Sequence, residues 1–81
     1  MNEINNDKVK KSRIIEPEFQ AILQLYEARI DLKMTQKELS EKSGVRQSNI
    51  SRIERGACSP TIRTLSELAY AMGKKLEIKI R

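Results

Sequence analysis

The chain has 81 residues, enough for one small domain that buries only about 60% of its unfolded surface, which argues against a deep enzyme cleft. Sixteen Lys and Arg stand against eleven Asp and Glu, a net charge of +5 that favours a polyanionic partner. With one cysteine (Cys58) and no histidine, the sequence offers neither an internal disulfide nor a usual zinc ligand set. It also shows no signal peptide and no bilayer-spanning apolar run, so a reducing cytoplasm is the expected location.

Residues 1–15 are polar and carry Lys8, Lys10, Lys11 and Arg13. They read as a flexible basic arm that is either solvated or adds phosphate contacts. Pro17 suits a first helical turn, and Phe19, Ile22, Leu23, Tyr26 and Ile30 then repeat at helical spacing. These five are expected to form the inner face of an amphipathic helix ending near Leu32. Glu18, Glu27 and Asp31 fall on its outer face. Such a face would be repelled by nucleic acid and should point away from it.

Thr35 followed by Glu38 has the form of a capping box and opens a second helix, with Leu39 turned inward. Lys33, Gln36 and Lys37 gather at its start, where free amides and the helix dipole suit a phosphate. Ser43-Gly44-Val45 breaks that helix, because glycine tolerates the positive φ of a sharp exit and Val45 gives the turn an apolar residue to bury. A third helix starts at about Arg46. It points Ile50 and Ile53 inward and leaves Gln47, Ser48, Ser51, Arg52 and Arg55 outside, a face poor in carboxylates and rich in groups that bond base edges and phosphates.

Gly56 ends the third helix, and Thr61 after Pro60 can cap a fourth. Ile62, Leu65, Leu68, Ala69 and Met72 mark the inner face of that fourth helix, which stops at Gly73; Arg63 near its start has weak backbone-contact potential. Residues 74–81 change from helical period to strict alternation, with Leu76, Ile78 and Ile80 on one side, and read as a short C-terminal β-strand. No second strand is evident in the sequence. The strand is therefore expected to pair between copies in a dimer or with another protein, unless it is a frayed tail.

The run Thr35-Gln36, Glu38-Leu39, Gly44-Val45, Gln47-Ser48, Ile50-Ser51, Ile53-Glu54 and Gly56, continued by Pro60, Leu65, Leu68, Ala69 and Gly73, resembles the Cro/repressor-type, Xre-like helix-turn-helix regulators over roughly residues 23–73. The resemblance implies an all-α, lambda-repressor-like DNA-binding domain: a compact four- to five-helix bundle over residues 16–73, with the arm before it and the strand after it. It also implies a small residue at Ser40, where two helices approach, and a structural ion pair between Arg29 and Glu54. Where the family commonly has a capping Ser or Thr, this chain has Arg46, whose guanidinium can instead contact phosphate or guanine.

On this reading Arg46, Gln47, Ser48 and Arg52 contact bases, since Gln can bond adenine bidentately and Arg guanine. Gln36, Lys37, Asn49, Ser51 and Arg55 contact the DNA backbone. The expected partners are an inverted-repeat operator and a second copy of the chain. The layout, with GKKLEIKIR directly after the domain and no ligand-sensing domain, is similar to HigA-type antitoxins, which repress their own operon and sequester a RelE/HigB-like ribonuclease toxin. A stand-alone phage-type or mobile-element repressor and a protein-binding toxin inhibitor remain open as alternatives. No carboxylate pair, nucleophile–base pair or phosphate loop suggests an enzyme, and no cofactor or metal is expected. RNA binding is weakly supported, because Phe19, Tyr26 and Tyr70 all fit helix faces rather than a stacking platform.

Overall fold

A computed structural model describes residues 17–80; the arm expected over residues 1–15 lies outside them. The described residues form four helices, α1 (Pro17–Asp31), α2 (Gln36–Ser43), α3 (Gln47–Glu54) and α4 (Ile62–Ala71). Packing runs between α2 and α3, α2 and α4, α1 and α4, and α1 and α3. The short helices α2 and α3 therefore sit across a pair formed by the outer two.

Local sequence chemistry sets the boundaries. Thr35 and Glu38 form the expected capping box, the Thr35 hydroxyl accepting from the Glu38 amide at 3.0 Å and Glu38 Oε1 accepting from the Thr35 amide at 2.8 Å. Thr61 likewise accepts from the Thr64 amide at 3.0 Å and caps α4. Gly44 closes α2 at φ 80°, its amide donating to the Ser40 carbonyl at 2.9 Å. After α1 the same left-handed position is held by Lys33 at φ 56°. There the Lys33 amide reaches the Ile30 carbonyl and the Met34 amide reaches the Arg29 carbonyl, the two bonds of a Schellman closure.

The core gathers Ile22 of α1, Leu39 of α2, Val45 of the turn, Ile50 and Ile53 of α3, and Leu68 and Met72 at the end of the chain's last helix. Leu65 and Ala69 are buried as well. Leu39, Ile50 and Ile53 are almost wholly enclosed, and each stabilises the fold by about 1.5–3 kcal/mol relative to solvent exposure. Leu25, Ala28, Met34, Cys58 and Ala71 pack against this cluster from its edges.

Four sequence expectations need correction. The C-terminal β-strand is absent: Lys74–Ile80 has no regular structure, and no other described segment is a strand that could complete a ladder with it. Alternation places Leu76, Ile78 and Ile80 on one side of an extended chain, but a strand needs hydrogen-bonding neighbours that the described residues do not supply. Leu76 is half-buried, while Ile78 and Ile80 are exposed. The second correction concerns helix number, which is four among the described residues rather than four to five.

The third correction concerns which side of α1 faces inward. Of the five residues expected there, only Ile22 is buried; Phe19, Leu23, Tyr26 and Ile30 are between 38% and 55% exposed. The inner stripe is Ile22, Leu25, Ala28 and Arg29, which the neighbouring apolar stripe concealed in the sequence. The fourth is Ile62, expected inside α4, which faces solvent at the first position of its helix.

Candidate nucleic-acid interface

Arg29, Glu54 and Gln36 meet where α1, α2 and α3 come together. Arg29 Nε donates to Glu54 Oε2 at 2.7 Å, and its Nη2 donates to Oε1 at 2.8 Å, a bidentate fork. Its Nη1 donates to the Met34 carbonyl at 2.8 Å, and the Tyr26 ring covers the guanidinium with its centroid 5.6 Å away. Both charged side chains are about nine-tenths buried. The hydrogen bond to Glu54 raises the Arg29 pKa above its ordinary value even though burial works the other way. The cation is therefore retained throughout the physiological range.

Glu54 Oε1 also accepts from Gln36 Nε2 at 2.9 Å. A carboxylate in that position fixes which end of the Gln36 amide turns inward, and it leaves the second amide hydrogen and the carbonyl oxygen of Gln36 for an outside partner. The sequence pointed to Arg29 and Glu54 as a pair. Gln36 as its third member was missed, and nothing in residue spacing marks it.

Around this junction α3 presents its outer side. Arg46, Gln47, Ser48, Arg52 and Arg55 are exposed, and Ser51 is half-buried between them. Arg55 Nη1 donates to Ser51 Oγ at 2.9 Å, which lays the Arg55 side chain back along the helix. Asn49 is half-buried on the flank beside Ile53, away from the outward row, and Lys37 is exposed in the first turn of α2. The only carboxylate on α3 is Glu54, already held by Arg29 and Gln36. The outward row is thus cationic and amide-rich, with no acidic side chain of its own.

The start of α3 is bare. Arg46 stands at the cap position with extended-type backbone (φ −58°, ψ 139°) and makes no side-chain cap, and no acidic residue lies in the first turn. Its amides and the positive end of the helix dipole open toward the same side as Gln47 and Ser48. Behind the turn, the Ser40 hydroxyl donates to the Val45 carbonyl at 2.6 Å, and the Val45 amide donates to Ser43 Oγ at 3.0 Å. These two bonds tie the turn back onto the end of α2, so the Ser40 hydroxyl serves the turn as well as meeting the small size expected of it.

Cys58 is a free thiol, half-buried against the core rather than aimed at the α3 face. Among the described residues no group of three or more His, Cys, Asp or Glu could hold a metal ion, and no helix is long and apolar enough to cross a membrane.

This architecture has relatives. An uncharacterized HTH-type transcriptional regulator of Haemophilus influenzae is 35% identical over 74 residues, covering 91% of this chain and 72% of the relative. Another from Sinorhizobium fredii is 49% identical over 49 residues, 60% of this chain but only 25% of its own length. A solved toxin-antitoxin module from Streptococcus pneumoniae superposes with a TM-score of 0.64 at 28% identity, covering 96% of this chain and 97% of that one. The helix-turn-helix family matches residues 25–79, which contain α2, α3, α4 and the second half of α1. The chain belongs to the Xre-like helix-turn-helix family of DNA-binding transcriptional regulators.

Proposed function

We propose that the chain is a sequence-specific repressor of double-stranded DNA that acts in the cytoplasm as a homodimer on an inverted-repeat operator. The observation that carries this reading is the outward row of α3: exposed Arg46, Gln47, Ser48 and Arg52 on a helix whose one carboxylate is turned inward. In the major groove these four side chains read base edges. Gln36, Lys37, Ser51 and Arg55 surround them and hold phosphates, with Asn49 at the flank. A twofold dimer sets its two α3 helices about 34 Å apart, one turn of the duplex.

The test is binding of wild type and Arg52→Ala to DNA from upstream of the protein's own gene, beside random DNA, across a salt series. A preference of about 10³-fold or more for the upstream DNA, of which Arg52→Ala loses about 1–3 kcal/mol, is the expected result. Weak binding that ignores both sequence and Arg52 overturns it.

The likeness to a toxin-antitoxin module favours a second, compatible role, that of an autoregulating antitoxin that also binds a RelE/HigB-like ribonuclease. Co-expression with a small basic ribonuclease encoded next to the gene tests this role. Failure of the two chains to co-purify counts against the antitoxin and leaves the stand-alone repressor.

A further inference from the structure

Phe19, Leu23, Tyr26 and Ile30 form an exposed apolar row along α1, beside its buried stripe. Their spacing of four, three and four residues is that of the seam along which one helix packs lengthwise on another. Isolated exposed hydrophobics are ordinary on a small protein, but three turns of them in one row are a surface. Glu27 and Asp31 border the row on the side away from the core, and Glu18 stands at its beginning. Arg29, the only basic residue of α1, is buried in its pair with Glu54, so the seam has acidic neighbours and no exposed cation on its own helix.

We propose that this seam docks an amphipathic helix of a protein partner, one with apolar residues at heptad spacing and Lys or Arg along its flanks. Charge decides between occupants. A second copy of α1 brings Glu27 and Asp31 again but no exposed cation, so in either orientation it offers this acidic flank no complementary charge. Nucleic acid is repelled by the same groups. The chain's own residues 1–15 are basic, but Ile4, Val9, Ile14 and Ile15 do not repeat at heptad spacing. None of the four seam residues belongs to the outward row of α3, so a docked partner and bound DNA do not compete for side chains. The inference supplies the surface that the partner-binding role needs, and it rests on that role only for the partner's identity.

The experiment uses the full chain and two synthetic helical peptides of about three heptads with Leu at both core positions, one with Lys and one with Glu at the flanking positions. The basic peptide is expected to bind at least about tenfold more tightly than the acidic one, with amide shifts concentrated over residues 19–31. The double variant Leu23→Asp/Ile30→Asp is expected to lose about tenfold or more of that affinity while keeping its melting temperature and its DNA binding. Because the added aspartates would strengthen a purely electrostatic attachment, that loss reports the apolar seam.

Equal affinity for the two peptides, or shifts mapping outside α1, overturns the proposal. So does a wild-type dimer that the double variant dissolves, which would place a second copy on the seam. A tenfold gain in basic-peptide affinity on removing residues 1–13 also overturns it, by showing that the chain covers its own seam. Failure of wild type to bind its upstream DNA would sink the repressor reading and leave this result standing.

Discussion

Helices α1 and α3 each turn one side to solvent, and the two sides have opposite chemistry. The α3 side is short, cationic and rich in hydrogen-bond donors, with Gln47, Ser48 and Arg52 exposed and no free carboxylate. The α1 side is longer and apolar, edged by Glu27 and Asp31. Both helices are anchored through the same contact, Arg29 on one and Glu54 on the other. One small domain thus holds two surfaces suited to different classes of partner. Their separation follows from charge placement more than from size.

Removing the shared anchor gives the largest expected effect. Glu54→Ala leaves the Arg29 guanidinium buried without its partner and frees Gln36, and is expected to cost about 3 kcal/mol or more in urea unfolding. Full retention of thermal stability with loss of DNA affinity alone would make the pair a DNA-binding device instead. Since the folded-state pKa of Arg29 is raised, its contribution is fully present below the ordinary guanidinium value and is lost only above it. No Arg29-linked change in stability is therefore expected across the physiological pH range.

Next in size is the contrast within α1. Ile22→Ala should destabilise by about 2–4 kcal/mol, and Leu23→Ala by well under about 1 kcal/mol, although the two residues are neighbours of similar character. Equal losses in denaturant melts would mean that the seam is buried in solution. On α3, Arg52→Ala is expected to weaken specific DNA binding by about 1–3 kcal/mol while unfolding stays within about 0.5 kcal/mol of wild type. The smallest effect is a gain: Lys33→Gly relieves a left-handed backbone at φ 56° and should add about 0.5–1 kcal/mol to the unfolding free energy.

The same two helices show what could be read from the sequence. In α3 the apolar residues Ile50 and Ile53 define one stripe, so spacing alone turned Gln47, Ser48, Arg52 and Arg55 outward, where they are exposed, and Ser51 is half-buried among them. In α1 eight bulky or small apolar positions from Phe19 to Ile30 supply two adjacent stripes, and periodicity cannot say which one meets the core. Spacing drew Phe19, Leu23, Tyr26 and Ile30 in with Ile22, but the side that packs is Ile22, Leu25 and Ala28, the one from which Arg29 reaches Glu54. Caps and turns at Thr35, Gly44 and Thr61 were legible because their chemistry is local. The Gln36–Glu54 bond was not, since it joins residues 18 positions apart through a geometry that exists only after α2 and α3 are packed together. The expected strand failed for a related reason: a pattern along one segment carries no information about a neighbour.

The uncommitted side chains at Gln47, Ser48 and Arg52 also bear on how such a domain diversifies. Among the described residues they make no side-chain hydrogen bond or ion pair that holds the fold, while Arg29, Gln36 and Glu54 join the helix beneath them to α1 and α2. If the proposed reading of α3 holds, substitution at the first three positions changes which DNA sequence is preferred with little penalty in folding. A lineage of such repressors would then drift from one operator to another through single steps, each of them a viable protein.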